Sequence, residues 1–247
     1  MQALVESLKS WVNAGLSFIY PEICQTCGNE RATPAEGFVC ATCRAQLRRI
    51  VPPFCNRCGR PFEGAITTTF DCADCRDDEP HFSWARAAVI ATETMLEIIA
   101  RYKYQRALWF EPFMAELLIE AARPQLAGQH WDCIVPVPLH RTRQREREFN
   151  QAQRLATRLS RATDIPTNNR AIRRVVATPT QTQLNREERR ANMRRAFAPY
   201  GGAGLDGQRI IVVDDVLTTG ATTSACAGAL RAAGAAEVCV WTVARGI

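Results

Sequence analysis

The chain has 247 residues, 47% of them hydrophobic and 23% charged, and a formal net charge of +6. This length suits one medium domain plus a small one, and the apolar content is enough for a real core. No run approaches the roughly 18 apolar residues that cross a bilayer, which excludes a membrane-spanning helix.

Residues 1–20 lack a basic start and a small-residue cleavage site, so they read poorly as a signal peptide. Leu4, Leu8, Trp11, Val12 and Leu16 recur at helical spacing. An amphipathic N-terminal helix is expected there, for core packing or a partner contact.

Residues 21–80 hold eight of the eleven cysteines as four CxxC pairs: Cys24/Cys27, Cys40/Cys43, Cys55/Cys58 and Cys72/Cys75. The intervals between pairs are 12, 11 and 13 residues. One CxxC alone suits redox chemistry. Four at even spacing point to two tetrahedral four-cysteine zinc sites, because each CxxC turn places two thiolates on one ion. The Zn2+ is expected to be structural, and to supply much of the folding energy of so small a segment. Sequential pairing of the CxxC turns gives a tandem zinc ribbon, and a cross-braced pairing is the alternative. A disulfide framework would need an oxidising compartment. Nothing in the sequence directs export, so a cytoplasmic location is expected. Cys133, Cys226 and Cys239 fall on apolar segments and read as buried packing residues.

From residue 81 to residue 247 the pattern changes to alternating strands and helices. Strands are expected at 84–91, 131–135, 210–213 and 237–243, and helices at 93–106, 110–123, 149–161 and 224–233. This alternation predicts an α/β fold, a mostly parallel sheet with helices on both faces, preceded by the small tandem zinc-ribbon domain. Ligands of such sheets bind at the carboxyl ends of the strands. The loop 136–140 and the loop after residue 213 both lie at such ends and are expected to converge.

Residues 141–195 carry fifteen arginines against five carboxylates. A GC-rich coding bias accounts for arginine over lysine, but not for this clustering. In an extended loop Arg141, Arg143, Arg145 and Arg147 would project to one side toward phosphates, and in a helix they would spread around it. Arg186, Arg189 and Arg190 stand at helical spacing and predict a basic stripe. Asn150 suits a helix cap near residue 151.

The most telling stretch is IIVVDDVLTTGATT, residues 210–223. Its β-branched run predicts a buried strand that ends at Asp214 and Asp215. The polar loop Thr218, Thr219, Gly220, Ala221 and Thr222 then feeds a helix. Loop amides and the helix dipole at such a corner attract a phosphate, and the paired carboxylates suit a ligand with hydroxyls or a metal.

The string VVDDVLTTGATT resembles the phosphoribosyl-pyrophosphate loop of type I phosphoribosyltransferases. Nearly the whole chain resembles the ComF family of competence-associated proteins. That likeness rests on the CxxC-rich start, Tyr102-Lys103-Tyr104, PVPLHRTRQREREFNQA, TPTQTQLNREERRANMRRAF and the final loop. One departure is Glu148, where the family has glycine; a positive φ there would strain glutamate. The resemblance implies a type I phosphoribosyltransferase-like fold. It also implies that Asp214 and Asp215 contact ribose hydroxyls, that Thr218–Thr222 hold the 5-phosphate, and that Leu139, His140 and Arg141 face pyrophosphate. Mg2+ would accompany phosphoribosyl pyrophosphate. The implied biology is DNA uptake in natural transformation, on single-stranded DNA beside a helicase-like translocase, with Arg143, Arg145, Arg147, Arg186, Arg189 and Arg190 as candidate nucleic-acid contacts. Two other readings remain: an active phosphoribosyltransferase on an unknown small acceptor, and a zinc-ribbon adaptor.

Overall fold

The computed structural model describes residues 22–64, 68–176, 196–200 and 204–247. The expected N-terminal helix, and Arg186, Arg189 and Arg190, lie outside them. Two short helices, α1 (Ala41–Ala45) and α2 (Ala73–Asp77), each hold the last cysteine of a ribbon, Cys43 and Cys75. Then come β1 (Trp84–Ile90), α3 (Glu93–Tyr104), a 3-10 turn and α4 (Glu111–Leu126). The order continues with β2 (Cys133–Pro136), α5 (Arg141–Arg147), α6 (Gln151–Thr163), β3 (Ile172–Arg174) and β4 (Phe197–Pro199). The chain closes through β5 (Arg209–Leu217), α7 (Ala221–Ala232) and β6 (Glu237–Arg245).

The main sheet has the order β1-β6-β5-β2, and its three pairings are all parallel. β3 and β4 form a separate antiparallel pair. Side chains alternate along β5, and this alternation divides the core. Ile211 and Val213 pack with Leu117, Leu118 and Leu155 of α4 and α6. Ile210 and Val212 pack with Cys226 and Leu230 of α7 on the opposite face. The expected parallel sheet with helices on both faces is therefore present. Cys133, Cys226 and Cys239 are buried within it, as their apolar neighbours suggested.

The ribbon segment lies against the sheet. Ala85 and Ile90 of β1 donate to the carbonyls of Arg57 (2.6 Å) and Arg48 (2.8 Å), and Ile50 donates to Ala88 (3.1 Å). The Arg86 guanidinium stacks on Phe54 at 4.5 Å. At the other edge Ile134 of β2 donates to Pro166 and accepts from Asn168 (2.8 and 2.9 Å).

Two boundaries differ from expectation in ways that matter. β5 runs four residues past Val213, because Asp214, Val216 and Leu217 still pair with Thr242, Ala244 and Arg245. Tertiary pairing overrides the poor strand propensity of aspartate. α7 begins three residues early, at Ala221, because Gly220 turns into it at φ +79°, a conformation open to glycine.

Candidate ribose-phosphate corner, metal clusters and arginine flank

The eight CxxC sulfurs form two clusters, Cys24/Cys27/Cys40/Cys43 and Cys55/Cys58/Cys72/Cys75, with the ligand atoms of each within 4.8 Å of one another. The pairing is sequential, and the cross-braced alternative falls. Sγ–Sγ separations are 3.8 Å for Cys24–Cys43 and Cys27–Cys40, and 3.7 Å for Cys58–Cys72. A disulfide would bring two sulfurs to about 2 Å. A tetrahedron with Zn–S bonds of about 2.3 Å has edges near 3.8 Å, so the donor set fits zinc. Backbone N–H groups of Cys40 and Cys72 point at the sulfurs of Cys24 and Cys55, both at 3.3 Å. Such bonds favour thiolates.

At the carboxyl end of the sheet, the Val137 amide donates to the Val213 carbonyl at 3.0 Å. This contact ties the start of the loop after β2 to β5, so both loops leave the same end of the sheet, but the cleft that holds residues 138–141 is lined by none of residues 214–222. The Leu139 and His140 positions lead into α5, where His140 Nδ1 accepts from the Thr142 amide at 3.3 Å.

The corner is built from β5, its loop and the first turn of α7. Thr218 and Thr219 are exposed, and Gly220, Ala221 and Thr222 are half-buried. The amides of the first helical turn have no carbonyl partner within the helix, so they open toward the loop. Thr219 Oγ1 accepts from the Ala221 amide at 3.4 Å. Thr223 differs from its neighbours: it is buried, and its hydroxyl donates to the Gly220 carbonyl at 3.1 Å. It braces the turn instead of lining the mouth.

The two aspartates part company. Because β5 continues through them, they project to opposite faces. Asp215 is 1% exposed on the α3–α4–α6 face, and its Oδ1 lies 2.7 Å from Lys103 Nζ. Asp214 is on the α7 face, partly exposed, and its Oδ1 accepts from the Asp215 amide at 2.9 Å. Removal from water, reinforced by the charge of Asp215, pushes Asp214 up to about 7 against the pull of Lys103. Of the pair, Asp214 is the more exposed carboxylate, and Asp215 is the one held by Lys103. Lys103 could have been found by its rarity, since the chain has only two lysines.

The arginine run 141–147 is helical, so its side chains spread around α5 and do not form one phosphate-facing row. Arg145 is exposed. Arg147 is buried, over the Tyr104 ring at 4.7 Å with Nη1 donating to Gln151, so it is a packing residue as well as a charge. The helix separates two clefts. One of about 380 Å³ is lined by Lys103, Tyr104, Arg106, Arg143, Glu146 and Arg147. The other, of about 470 Å³, includes Pro138, Leu139, His140, Arg141, Arg173 and Tyr200. Neither Arg173 nor Tyr200 stands in a recognisable motif. Glu148 ends α5 in the left-handed region at φ +64°, a conformation that glycine enters more readily, and Arg106 holds it at 2.8 Å. Asn150 caps α6 through the amides of Ala152 and Gln153, as its position suggested.

The chain is similar to several known proteins. Residues 15–76 match the double zinc ribbon domain. Competence protein F of Haemophilus influenzae is 34% identical over 224 residues, 85% of this chain and 92% of that protein. DNA utilization protein YhgH of Escherichia coli K12 is 31% identical over 230 residues, 91% and 97% of the two chains. Competence protein ComFC of Bacillus subtilis is 27% identical, covering 84% of each. Among solved structures, a purine phosphoribosyltransferase from Pyrococcus horikoshii aligns with 54% of this chain and 82% of its own, at 20% identity and a TM-score of 0.34. With a third of its residues shared across most of competence protein F, and the double ribbon in place, the chain belongs to the ComF family of competence proteins.

Proposed function

We propose that this protein binds phosphoribosyl pyrophosphate, or a related ribose 5-phosphate, in the mouth between β2 and β5, and carries single-stranded DNA on its arginine flank during DNA uptake. The observation behind the reading is the corner itself. It joins open amides and hydroxyls at 218–222 to the Asp214 carboxylate within one strand–loop–helix unit. In this reading Asp214 accepts from ribose hydroxyls, Thr218–Thr222 hold the 5-phosphate, and Leu139, His140 and Arg141 face the pyrophosphate. Asp215 orients the site from behind through Lys103. Mg2+ would arrive with the pyrophosphate and keep mostly ligand and water oxygens, given its reluctance to dehydrate. Two structural Zn2+ ions would hold the ribbons.

DNA is assigned to a separate surface because deoxyribose lacks the 2-hydroxyl that Asp214 would grip. The names of the relatives, competence and DNA utilization, support the DNA role. A helicase-like translocase is the partner proposed for that role, and a cytoplasmic location suits thiolate zinc sites. Among the described residues, no helix is long and apolar enough to cross a membrane.

A second reading, transfer of the ribosyl group to a small acceptor, is favoured by the cleft beside residues 138–141, where Tyr200 offers a ring face. Such transfer passes through a cation-like anomeric centre and needs positioning more than a nucleophile. The adaptor reading is the weakest, since a merely structural domain has no use for this corner.

Calorimetry with phosphoribosyl pyrophosphate and Mg2+ tests the proposal. Asp214→Ala should abolish this binding and leave single-stranded DNA affinity intact. Equal loss of both in a folded protein would sink the two-surface picture, and pyrophosphate release with an added acceptor would favour transfer.

A further inference from the structure

Arg245 ends β6 and is 6% exposed. A buried guanidinium ordinarily faces a carboxylate, because its charge is costly away from water. Among the described residues no carboxylate lies within ion-pair reach of Arg245. Besides its neighbour Gly246, its partners lie on two distant segments of the chain. Nε donates to the Cys58 carbonyl at 3.2 Å, and Nη2 reaches Cys58 Sγ at 3.5 Å. Nη1 donates to the carbonyls of Leu217 at 3.1 Å, Thr218 at 2.5 Å and Gly246. Cys58 belongs to the second sulfur cluster, and Leu217-Thr218 opens the candidate phosphate loop. The Gly246 amide adds a second tie to the Leu217 carbonyl, at 2.8 Å.

This geometry sets the direction of the loop amides. A peptide unit is planar and trans, so its C=O and the next N–H point opposite ways. Drawing the Leu217 and Thr218 carbonyls toward Arg245 aims the amides of Thr218 and Thr219 away from it. The negative partner of the guanidinium is sulfur: four thiolates around one divalent ion leave a net charge of −2. The first cluster lacks this link. Its contacts with the sheet domain go to α3 and α4: Arg101 Nη1 donates to the Gln25 carbonyl at 2.6 Å, and Arg44 pairs with Glu116 and lies over the Phe113 ring.

We propose that Arg245 is a positioning residue that couples the second zinc ribbon to the phosphate loop, so that an intact second cluster holds Thr218 and Thr219 in their ligand-binding orientation. The ligand half of this inference rests on the proposed ribose 5-phosphate reading. The loop-ordering half does not.

The test uses the full zinc-loaded chain and reads three quantities: zinc content, ribose 5-phosphate affinity by calorimetry, and hydrogen exchange of the amides at 218–222. Arg245→Met should keep about two zinc ions per chain. It should weaken ribose 5-phosphate about tenfold, within the usual range of coupling between sites, and speed exchange at Thr218 and Thr219. Arg245→Lys should recover part of both effects. Cys72→Ser/Cys75→Ser should reproduce them, and Cys24→Ser/Cys27→Ser should not. Unchanged exchange and affinity in a zinc-replete Arg245→Met protein would overturn the coupling. So would equal effects from emptying either cluster. If the wild-type chain binds no ribose 5-phosphate, the ligand reading fails and the exchange rates alone decide the coupling. Should Arg245→Met not fold, the two cysteine-pair variants carry the comparison.

Discussion

Lys103 Nζ stands 2.7 Å from Asp215 Oδ1 in a setting where the aspartate is 1% and the lysine 15% exposed. The second oxygen of the carboxylate, Oδ2, is buried with no hydrogen-bond partner among the described residues. Lys103 therefore carries most of the compensation for a buried charge. Removing one member of such a pair strands the other. Lys103→Met is expected to destabilise the fold by about 3 kcal/mol, read by urea unfolding. The double variant Lys103→Met/Asp215→Asn should recover part of that loss. Arg161 is exposed and serves as a control. A loss no larger in Lys103→Met than in Arg161→Met would mean that the pair is hydrated in solution.

Asp214 makes stability and binding respond oppositely to pH. Its carboxyl is raised to about 7 in the fold, first by removal from water and then by Asp215. A raised carboxyl takes up a proton more readily folded than unfolded. Its stabilising contribution is thus full below about pH 4, the unfolded value, and is lost as pH rises through about 7. Asp214→Asn should flatten this decline in chemical unfolding series between pH 4 and 8. Ribose 5-phosphate binding should tighten across the same interval as the acceptor ionises. The ligand's own phosphate also titrates near 6, so the relevant quantity is the difference between wild type and Asp214→Asn. Parallel pH profiles for the two proteins would rule out Asp214 as the titrating acceptor.

Glu148 occupies a left-handed position at φ +64° that glycine enters without strain. Its ion pair with Arg106 is exposed on both sides and contributes little in water. Glu148→Gly is expected to stabilise the protein by about 1 kcal/mol, visible as a higher midpoint in thermal unfolding. Glu148→Ala keeps the strained backbone, loses the Arg106 contact, and should gain nothing. A destabilised glycine variant would show that the Arg106 contact outweighs the strain.

Single-stranded DNA affinity should fall steeply with salt, because each neutralised phosphate releases counterions. Arg143→Ala removes a charge from the cleft shared with Lys103 and should lower the slope of log affinity against log salt by roughly 0.7. Arg189→Ala/Arg190→Ala should lower it further. Filter binding across a salt series measures this, and a salt-insensitive affinity would count against phosphate contacts.

Cysteine spacing made the metal ribbons legible, since the metal chemistry needs those residue types in those turns whatever surrounds them. The corner at 214–222 was legible for the same reason: Gly220, the threonines and the acids are demanded locally. The division of labour between Asp214 and Asp215 was not. It depends on how far β5 keeps pairing with β6, a long-range fact that aspartate propensity argues against. Arg245 and Tyr200 stand in no motif because each gains meaning from residues far away in the chain, Cys58 for the former and the β2 loop for the latter. The arginine run offered two geometries, and only the α5 cap at His140 and the left-handed exit at Glu148 decide between them.

β1 is the outer strand of the sheet, and the ribbon linker covers its free side through the bonds of Arg48, Ile50 and Arg57. An uncovered strand edge is a template for pairing with another chain. The ribbon linker thus occupies the edge that would otherwise be free to pair with a second chain, and loss of zinc from the ribbons is expected to uncover it.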